Sequence, residues 1–444
     1  MKTQQPLDVD WLWQLLQRYS PFNQVVVALS GGVDSTVLLH LMQQLGQQHN
    51  LSLSAIHINH QLQAESDNWA SRCAELCEQW HIPVRIEKVV VKKSGHGIES
   101  DAREARYRLF ETQLQQGDIL LQGHHADDQA ETVIMRLIRG SGVRGLAAIP
   151  AQRTLGKGRV VRPLLSLSRQ QIVEYAEHHN LSWIEDPSNR DLTIERNLIR
   201  HEIMPRLEAQ RSGVKRALVR SAEQFLESAE LLDQLAEMDL AGILLEPLQL
   251  DCKQLSKLER GRCRNLLRYW ITRNGFLAPN SAVIDRIIDE GIHSRADAHP
   301  LIEWFGAEVR RYRNRLYLMK RAPVDPHLTE LKWDLHSDLL LGEGLGTLRG
   351  IDSIGKGIRA SLLQEEEVII RWRKGGEHIQ PAGRSGHHSL KNLFQEAAIP
   401  PWLRKNYPLI YIGDELAAIP NLCIAEEFVA KKDERGLLFE WAYH

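Results

Sequence analysis

The string Ser30-Gly31-Gly32-Val33-Asp34-Ser35 has the residue types and order of a site for a phosphorylated ligand. Adjacent glycines let the backbone approach an anion, successive N–H groups and a helix N-terminus supply positive dipole, and the two serines add hydroxyl donors. No lysine follows the glycines, so this is not the Walker A loop that cradles a nucleoside triphosphate for β–γ cleavage. Asp34 instead sets a carboxylate beside the phosphates, as expected if it binds a Mg²⁺ ion that bridges them. A lone SGG would read as an ordinary strand-to-helix turn; the full six-residue string at the end of a strand argues for phosphate binding.

Four further strings carry polar groups at useful spacings. His57-Ile58-Asn59-His60-Gln61-Leu62 closes a strand, which turns its side chains, His57 first, toward the nucleotide. In Ala102-Arg103-Glu104-Ala105-Arg106-Tyr107 the two arginines are three apart and share a helical face. His124-His125-Ala126-Asp127-Asp128-Gln129-Ala130-Glu131-Thr132 opens a helix, with Asp128 and Glu131 pointing the same way. Acids in a first helical turn also serve simply to complement the helix dipole. A zinc site at His124 and His125 lacks a third ligand at metal spacing. Glu185-Asp186-Pro187-Ser188-Asn189 precedes Arg196-Asn197-Leu198-Ile199-Arg200.

The elements that must position these groups alternate. Strands are expected at Asn23–Leu29, Leu51–Ile58, Val84–Val91 and Asp118–Gln122, and helices at Asp34–Gln48, Ala64–Trp80, Glu99–Gln115 and Asp127–Ile138. Short β-branched runs between amphipathic helices predict an α/β domain with a doubly wound parallel sheet, whose ligands bind at the carboxyl ends of the strands. From about Arg206 to Glu290 the chain turns charged and helix-rich, and the proline pair Pro323 to Pro326 marks a linker to a small mixed α/β domain. Three domains follow: 1–210, 211–322 and 327–444, a division in keeping with 444 residues and 43% apolar content.

Five cysteines, with Cys73 and Cys77 four apart, fit neither a disulfide framework nor a metal ribbon and read as reduced thiols. The N-terminus has no apolar leader and the chain has no run of eighteen apolar residues, so a soluble, cytoplasmic protein with no membrane partner is expected. Net charge is only −2, yet the basic residues are clustered. Arg136 to Arg169 holds eight Lys/Arg and no acid; Arg196 to Arg220 and Arg371 to Lys405 each hold seven against two acids. Any single run reads as a solvated face, whereas three together point to a polyanion.

In its position after the first strand, SGGVDS resembles the pyrophosphate loop of the N-type ATP pyrophosphatases, the PP-loop superfamily, which split ATP between its α and β phosphates. With the four further strings in this order, the first 200 residues look like the tRNA(Ile)-lysidine synthetase family. Arg371 to Glu377, Ser389 to Glu396 and Ile399 to Arg404 resemble that family's terminal domain. One departure is Gln63, where family members usually carry a basic residue.

The resemblance implies that ATP adenylates the wobble cytidine of an isoleucine tRNA with a CAU anticodon, and that free lysine then displaces AMP to give lysidine. It assigns Ser30, Gly31, Gly32, Val33, Asp34, Ser35 and His57 to ATP, and Asp34 to Mg²⁺. Arg103 or Arg106 would add charge at the α phosphorus. Asp128 and Glu131 would clamp the amine of lysine, Arg196 would take its carboxylate, and Asp127, Asp128 or Glu131 would serve as general base. Arg139, Arg144, Arg371, Arg373, Lys391 and Arg404 are candidates for binding tRNA, and Trp372 or Trp402 is either a stacking surface or a core residue. A homodimer stays open. Two competing readings exist: a thiolating relative, which needs a CxxC pair the chain does not have, and an RNA-binding protein without turnover.

Overall fold

The computed structural model describes residues 7–61, 63–89, 98–295, 298–321, 330–342 and 344–442. Leu62, Val90, Val91, residues 1–6 and the proline linker Pro323–Pro326 lie outside them.

Four strands expected from sequence form, with ends shifted by a few residues: β1 (Val25–Ala28), β2 (Leu53–Asn59), β3 (Val84–Lys88) and β4 (Ile119–Leu121). They are joined by β5 (Gln152–Leu155) and β6 (Gly158–Val161) in the order β3-β2-β1-β4-β6-β5. All pairings are parallel except that of the edge strand β5 with β6. The helices are α1 (Val9–Gln17), α2 (Val33–His49), α3 (Ser66–Gln79), α4 (Ile98–Gln113), α5 (Ala126–Ile138), α6 (Val143–Leu146), α7 (Arg169–His178), α8 (Glu195–Leu198), α9 (Met204–Gln210) and α10 (Val214–Leu240).

Val25, Val27, Ile119 and Leu121 are fully buried with Val37, Leu38, Leu41 and Leu45 of α2 and Leu12 and Leu16 of α1. A second cluster, Ile56, Phe110, Leu114, Leu120 and Val160, covers the opposite face under α4. Both faces of the sheet are therefore apolar, which is why its strands read as unbroken β-branched runs. Because β1 is flanked by β2 and β4, the connections leave its carboxyl end in opposite directions and open a crevice there.

The chain packs as two units, residues 1–231 and 232–444, with the division inside α10. The second unit begins with the segment expected to be helical, and helix Arg260–Arg273 is there. So is an antiparallel sheet that the sequence reading did not foresee: β7 (Leu244–Glu246), β8 (Gln249–Asp251), β9 (Leu301–Trp304), β10 (Ala307–Tyr312) and β11 (Arg315–Lys320), ordered β7-β8-β11-β10-β9. Trp270, Leu266 and Leu267 of the helix pack on Ile302, Val309, Leu316 and Leu318 of this sheet. Beyond it, a five-stranded and a four-stranded sheet with helix Leu390–Glu396 enclose Trp372, Phe394, Tyr407 and Trp441, the small mixed domain expected.

Candidate active site

The SGGVDS string joins β1 to α2. Gly31 has φ +86°, and a Cβ there would stand 2.6 Å from Ile184 Cδ1, so both its conformation and its space call for glycine. Gly32 caps α2 with no side chain of its own. The serine hydroxyls are used within the loop: Ser35 Oγ accepts from the Ser30 N–H at 3.1 Å and donates to the Gly32 carbonyl at 3.0 Å, and the two hydroxyls lie 3.0 Å apart. They brace the turn that presents the backbone amides. Gly123, just after β4, comes so close that a Cβ would lie 3.0 Å from the Asp34 backbone.

Asp34 Oδ1 is buried and accepts no hydrogen bond, and burial raises its carboxyl above the ordinary range against the attraction of His125. A half-buried carboxylate with one buried oxygen that accepts no hydrogen bond, beside a phosphate loop, is the donor a divalent cation fits. Among the described residues no cluster of three metal-ligating side chains occurs. A Mg²⁺ ion keeps waters and substrate phosphates and takes one or two protein carboxylates, a place Asp34 could fill.

Asp34 faces the start of α5. The main-chain N–H of Asp128 donates to His125 Nδ1 at 3.3 Å, while the His125 N–H donates to Asp128 Oδ2 at 3.0 Å, a reciprocal cap. That bond makes Nδ1 the acceptor, which leaves Nε2 as the donor of the ring. Nε2 stands 3.6 Å from Asp34 Oδ1 and 3.5 Å from Asp128 Oδ2. One imidazole thus lies between the carboxylate of the phosphate loop and that of the helix. Burial pushes the neighbouring His124 down to about 3, and its Nδ1 is buried without a partner.

The acids of α5 meet arginines. Arg196 donates through Nε to Glu131 at 3.0 Å and through Nη2 to Asp128 at 2.8 Å. Arg200, whose place here the sequence reading did not assign, donates to Glu131 at 2.6 and 2.9 Å and to Asp128 at 3.1 Å. The two arginines are four apart where α8 passes into a π turn, Ile199–Ile203, and so share a face. Burial alone would raise the Asp128 carboxyl; the charges of His125 and Arg196 outweigh it and hold it at about 2. The groups expected at the two ends of one lysine are here bonded to each other.

Asp127 turns away from this cluster. It accepts the Arg169 N–H at 2.9 Å and pairs with Lys215 Nζ. Against its burial these contacts hold its carboxyl low. Asp127, Glu131, Arg169, Arg200, Met204 and Lys215 line a cavity of about 180 Å³. Arg169 and Lys215 lay in basic runs that the sequence could not resolve into individual roles.

His57 is buried and donates from Nδ1 to the Leu29 carbonyl at 2.9 Å, leaving Nε2 as an acceptor beside the loop. Arg106 donates from Nε to His60 at 3.3 Å, while Arg103 is exposed, its guanidinium 5.2 Å from the centre of the Tyr107 ring. Gln63 donates its main-chain N–H to Ser66 in the turn before α3. The two strings at Glu185 and Arg196 are tied together, since Asn197 donates to the carbonyls of Ser188 and Asp191 at 2.8 and 2.9 Å.

Most of the tRNA-binding candidates have partners within the protein. Arg139 pairs with Glu195, and Arg144 is half-buried in α6. Arg371 pairs with Glu330 and Asp414 at 3.1 Å each, and Arg373 lies 3.8 Å from Glu377. Arg404 donates to the Ile399 carbonyl at 2.9 Å and to the Tyr312 hydroxyl at 3.1 Å. Lys391 is exposed. Trp372 belongs to the core, and half-buried Trp402 packs edge-on to Tyr317 with ring centres 5.4 Å apart.

A glycine loop at a strand switch point, with a carboxylate whose buried Oδ1 accepts no hydrogen bond at the start of the following helix, defines a PP-loop ATP-binding enzyme. The PP-loop domain family matches residues 8–207, the TilS substrate binding domain 250–317 and the TilS substrate C-terminal domain 368–441. The chain belongs to the tRNA(Ile)-lysidine synthase family. The tRNA(Ile)-lysidine synthase of Coxiella burnetii is 41% identical over 92% of this chain and 91% of its own length. That of Methylococcus capsulatus is 39% identical over 94% and 95%. A solved structure, the U34-tRNA thiolase NcsA from Methanococcus maripaludis, aligns with 49% of this chain and 79% of its own, at TM-score 0.40 and 22% identity.

Proposed function

We propose that the protein joins lysine to C2 of the wobble cytidine in a tRNA(Ile) with a CAU anticodon, through an adenylated cytidine, releasing pyrophosphate and AMP. The observation that carries the chemistry is His125 Nε2 between Asp34 and Asp128, which sets the phosphate end and the amine end of the site one side chain apart.

In the first half-reaction cytosine O2 attacks the α phosphorus of ATP, and the amides of residues 30–35 hold the departing pyrophosphate. Asp34 would hold a magnesium ion, which when bound neutralises charge on the phosphates. Arg106, which donates to His60 just after β2, would stabilise the developing charge. In the second, the ε-amine of lysine attacks C2 and AMP leaves. Free lysine carries an ammonium with a pKa of about 10.4, so it must be held and then deprotonated. Asp128 and Glu131 would hold it. Asp127, Asp128 or Glu131 would take the ammonium proton as the amine attacks C2 and the C2–O bond to AMP breaks.

The amine can reach Asp128 and Glu131 only if Arg196 and Arg200 share or yield them, and a displaced Arg196 is then free to take the lysine carboxylate. We place ATP chemistry in residues 1–210 and tRNA docking in 211–322 and 327–444, with Lys391 as an exposed contact. Among the described residues no helix is long and apolar enough to cross a membrane; action on tRNA in the cytoplasm is the corresponding proposal.

The test is incubation with ATP, Mg²⁺, labelled lysine and unmodified tRNA(Ile) bearing CAU, followed by mass spectrometry of the nucleosides. Lysine on the wobble cytidine with AMP and pyrophosphate released is the expected result. Splitting of ATP with no lysine incorporated would overturn the substrate assignment.

A further inference from the structure

The Arg136–Arg169 run looks in sequence like one basic patch, but the fold uses its members differently. Arg136 donates to the carbonyls of Gly145 and Ala148, and Arg159 to those of Tyr19 and Pro21. Arg162 is buried, 3% exposed, and donates to the Pro150 carbonyl, Gln122 and the Tyr107 hydroxyl. Its Nε is buried without a partner. Arg153 is exposed on the edge strand β5, its guanidinium 4.0 Å from the centre of the Tyr107 ring, and Arg103 approaches the same ring from α4.

Among the described residues no carboxylate pairs with Arg103, Arg153 or Arg162, and the charges acting most on Arg162 are Tyr107, Arg153 and Arg103. Arg153 and Arg103 repel Arg162, so the group costs stability unless an anion joins it. Tyr107 shows the same field: burial would raise its phenol, yet the surrounding guanidiniums and the bond to Gln122 bring it below the ordinary value. The arrangement is an anion seat with a braced floor, Arg162 and Tyr107, and two exposed arms.

Its position decides which anion. The charges acting most on Asp34 are His125, Asp128, Arg169 and Arg200, none of them from this group. Arg162 and Arg103 do act on His124, and Gln122, which both Arg162 and Tyr107 engage, is two residues before it. The seat therefore flanks the reacting end of α5 rather than the pyrophosphate loop. We propose that Arg153, with Arg103 over the Tyr107 ring, binds one phosphodiester of the RNA strand next to the reacting nucleotide. This rests on the reading of the chain as an enzyme acting on tRNA. Arg153 is a positioning residue: it fixes the strand and takes no part in bond making.

The experiment is direct binding of unmodified tRNA(Ile) to the full chain at several salt concentrations, without ATP or lysine. Arg153→Ala is expected to weaken binding roughly tenfold, as loss of a charged hydrogen bond does. The slope of log affinity against log salt is expected to fall by about one, and Arg153→Lys to restore it, because that slope counts phosphates neutralised. KM for ATP stays as in the wild type. Unchanged tRNA affinity and slope in Arg153→Ala overturn the proposal, and so does a raised KM for ATP with tRNA binding intact, which would give the seat to the nucleotide. Arg153 is exposed, so the fold tolerates the change, and an unaltered circular dichroism spectrum checks it. Wild-type protein that binds tRNA but attaches no lysine would sink the proposed function and leave this comparison readable.

Discussion

Arg200 grips Glu131 at two points, Nε to Oε1 at 2.6 Å and Nη2 to Oε2 at 2.9 Å, across 69 residues of sequence. Glu131 is the most buried member of the cluster, so its charge is what allows two guanidiniums to lie beside it. Glu131→Ala removes that charge and leaves Arg196 and Arg200 facing each other over Asp128 alone. A stability loss of about 3 kcal/mol is expected, as for breaking a buried pair from one side. Chemical denaturation checks this. Glu131→Gln keeps the volume and is expected to fold with a smaller loss while forming no lysidine.

Removing Asp34 separates ATP chemistry from RNA binding. Asp34→Ala is expected to abolish pyrophosphate release and leave tRNA affinity as it was, read by a pyrophosphate assay and by filter binding. Loss of tRNA affinity in the same variant would contradict the role given to this carboxylate.

Gly123 tests the loop without touching any charged group. A methyl at this position needs space that the Asp34 backbone holds at 3.0 Å, so Gly123→Ala should push the start of α2 by a few tenths of an ångström. KM for ATP is expected to rise about tenfold or more, in line with the cost of small displacements in a reacting geometry, with tRNA affinity unchanged. Steady-state kinetics with ATP varied give the answer.

Acid should weaken the protein through its buried histidines. His124 is held at about 3 and His60 at about 4, each chiefly by burial and both below the ordinary 6.5. Above pH 6.5 neither ring is charged in either state and nothing is lost. As pH falls from 6.5 toward these values the unfolded chain takes up protons that the folded chain refuses, and stability drops by up to about 1.4 kcal/mol per pH unit for the buried His124 and by less for His60, which solvent partly screens. The unfolding midpoint is expected to fall between pH 7 and 5, and less steeply in His124→Asn. Histidine NMR should show both rings neutral at pH 5.

The pyrophosphate loop, the alternation of strands and helices and the acids of α5 were legible because each is a local pattern set by a few adjacent residues. Strand ends differed from expectation by a few residues, although Leu29 and Gln122 still donate their main-chain N–H groups to Ile56 and Val161 of the neighbouring strands. The sheet of β7 to β11 went unseen because its first two strands have three residues each, too few to show a period of two. Partnerships across the fold were not legible either. Arg196 and Arg200 with the α5 acids, and Lys215 with Asp127, join groups 65 to 88 residues apart. Basic runs in the sequence say how many charges there are, and only the fold shows that Arg371 and Arg404 are engaged with polar groups while Arg153 lies exposed over the Tyr107 ring.

The stretch from Ile184 to Arg200 has a further consequence. At one end the Ile184 N–H donates to the Gly31 carbonyl of the pyrophosphate loop at 2.8 Å; at the other Arg196 and Arg200 hold Asp128 and Glu131. Between them Asn197 clamps the segment on Ser188 and Asp191, and His201, just past its end, bonds the Asn189 carbonyl at 2.8 Å. Seventeen residues thus act as a ruler laid from one half-reaction to the other. An insertion in it would change the distance between the bond that breaks first and the bond that forms last. Such a variant should still split ATP while failing to hand the activated base on to its amine.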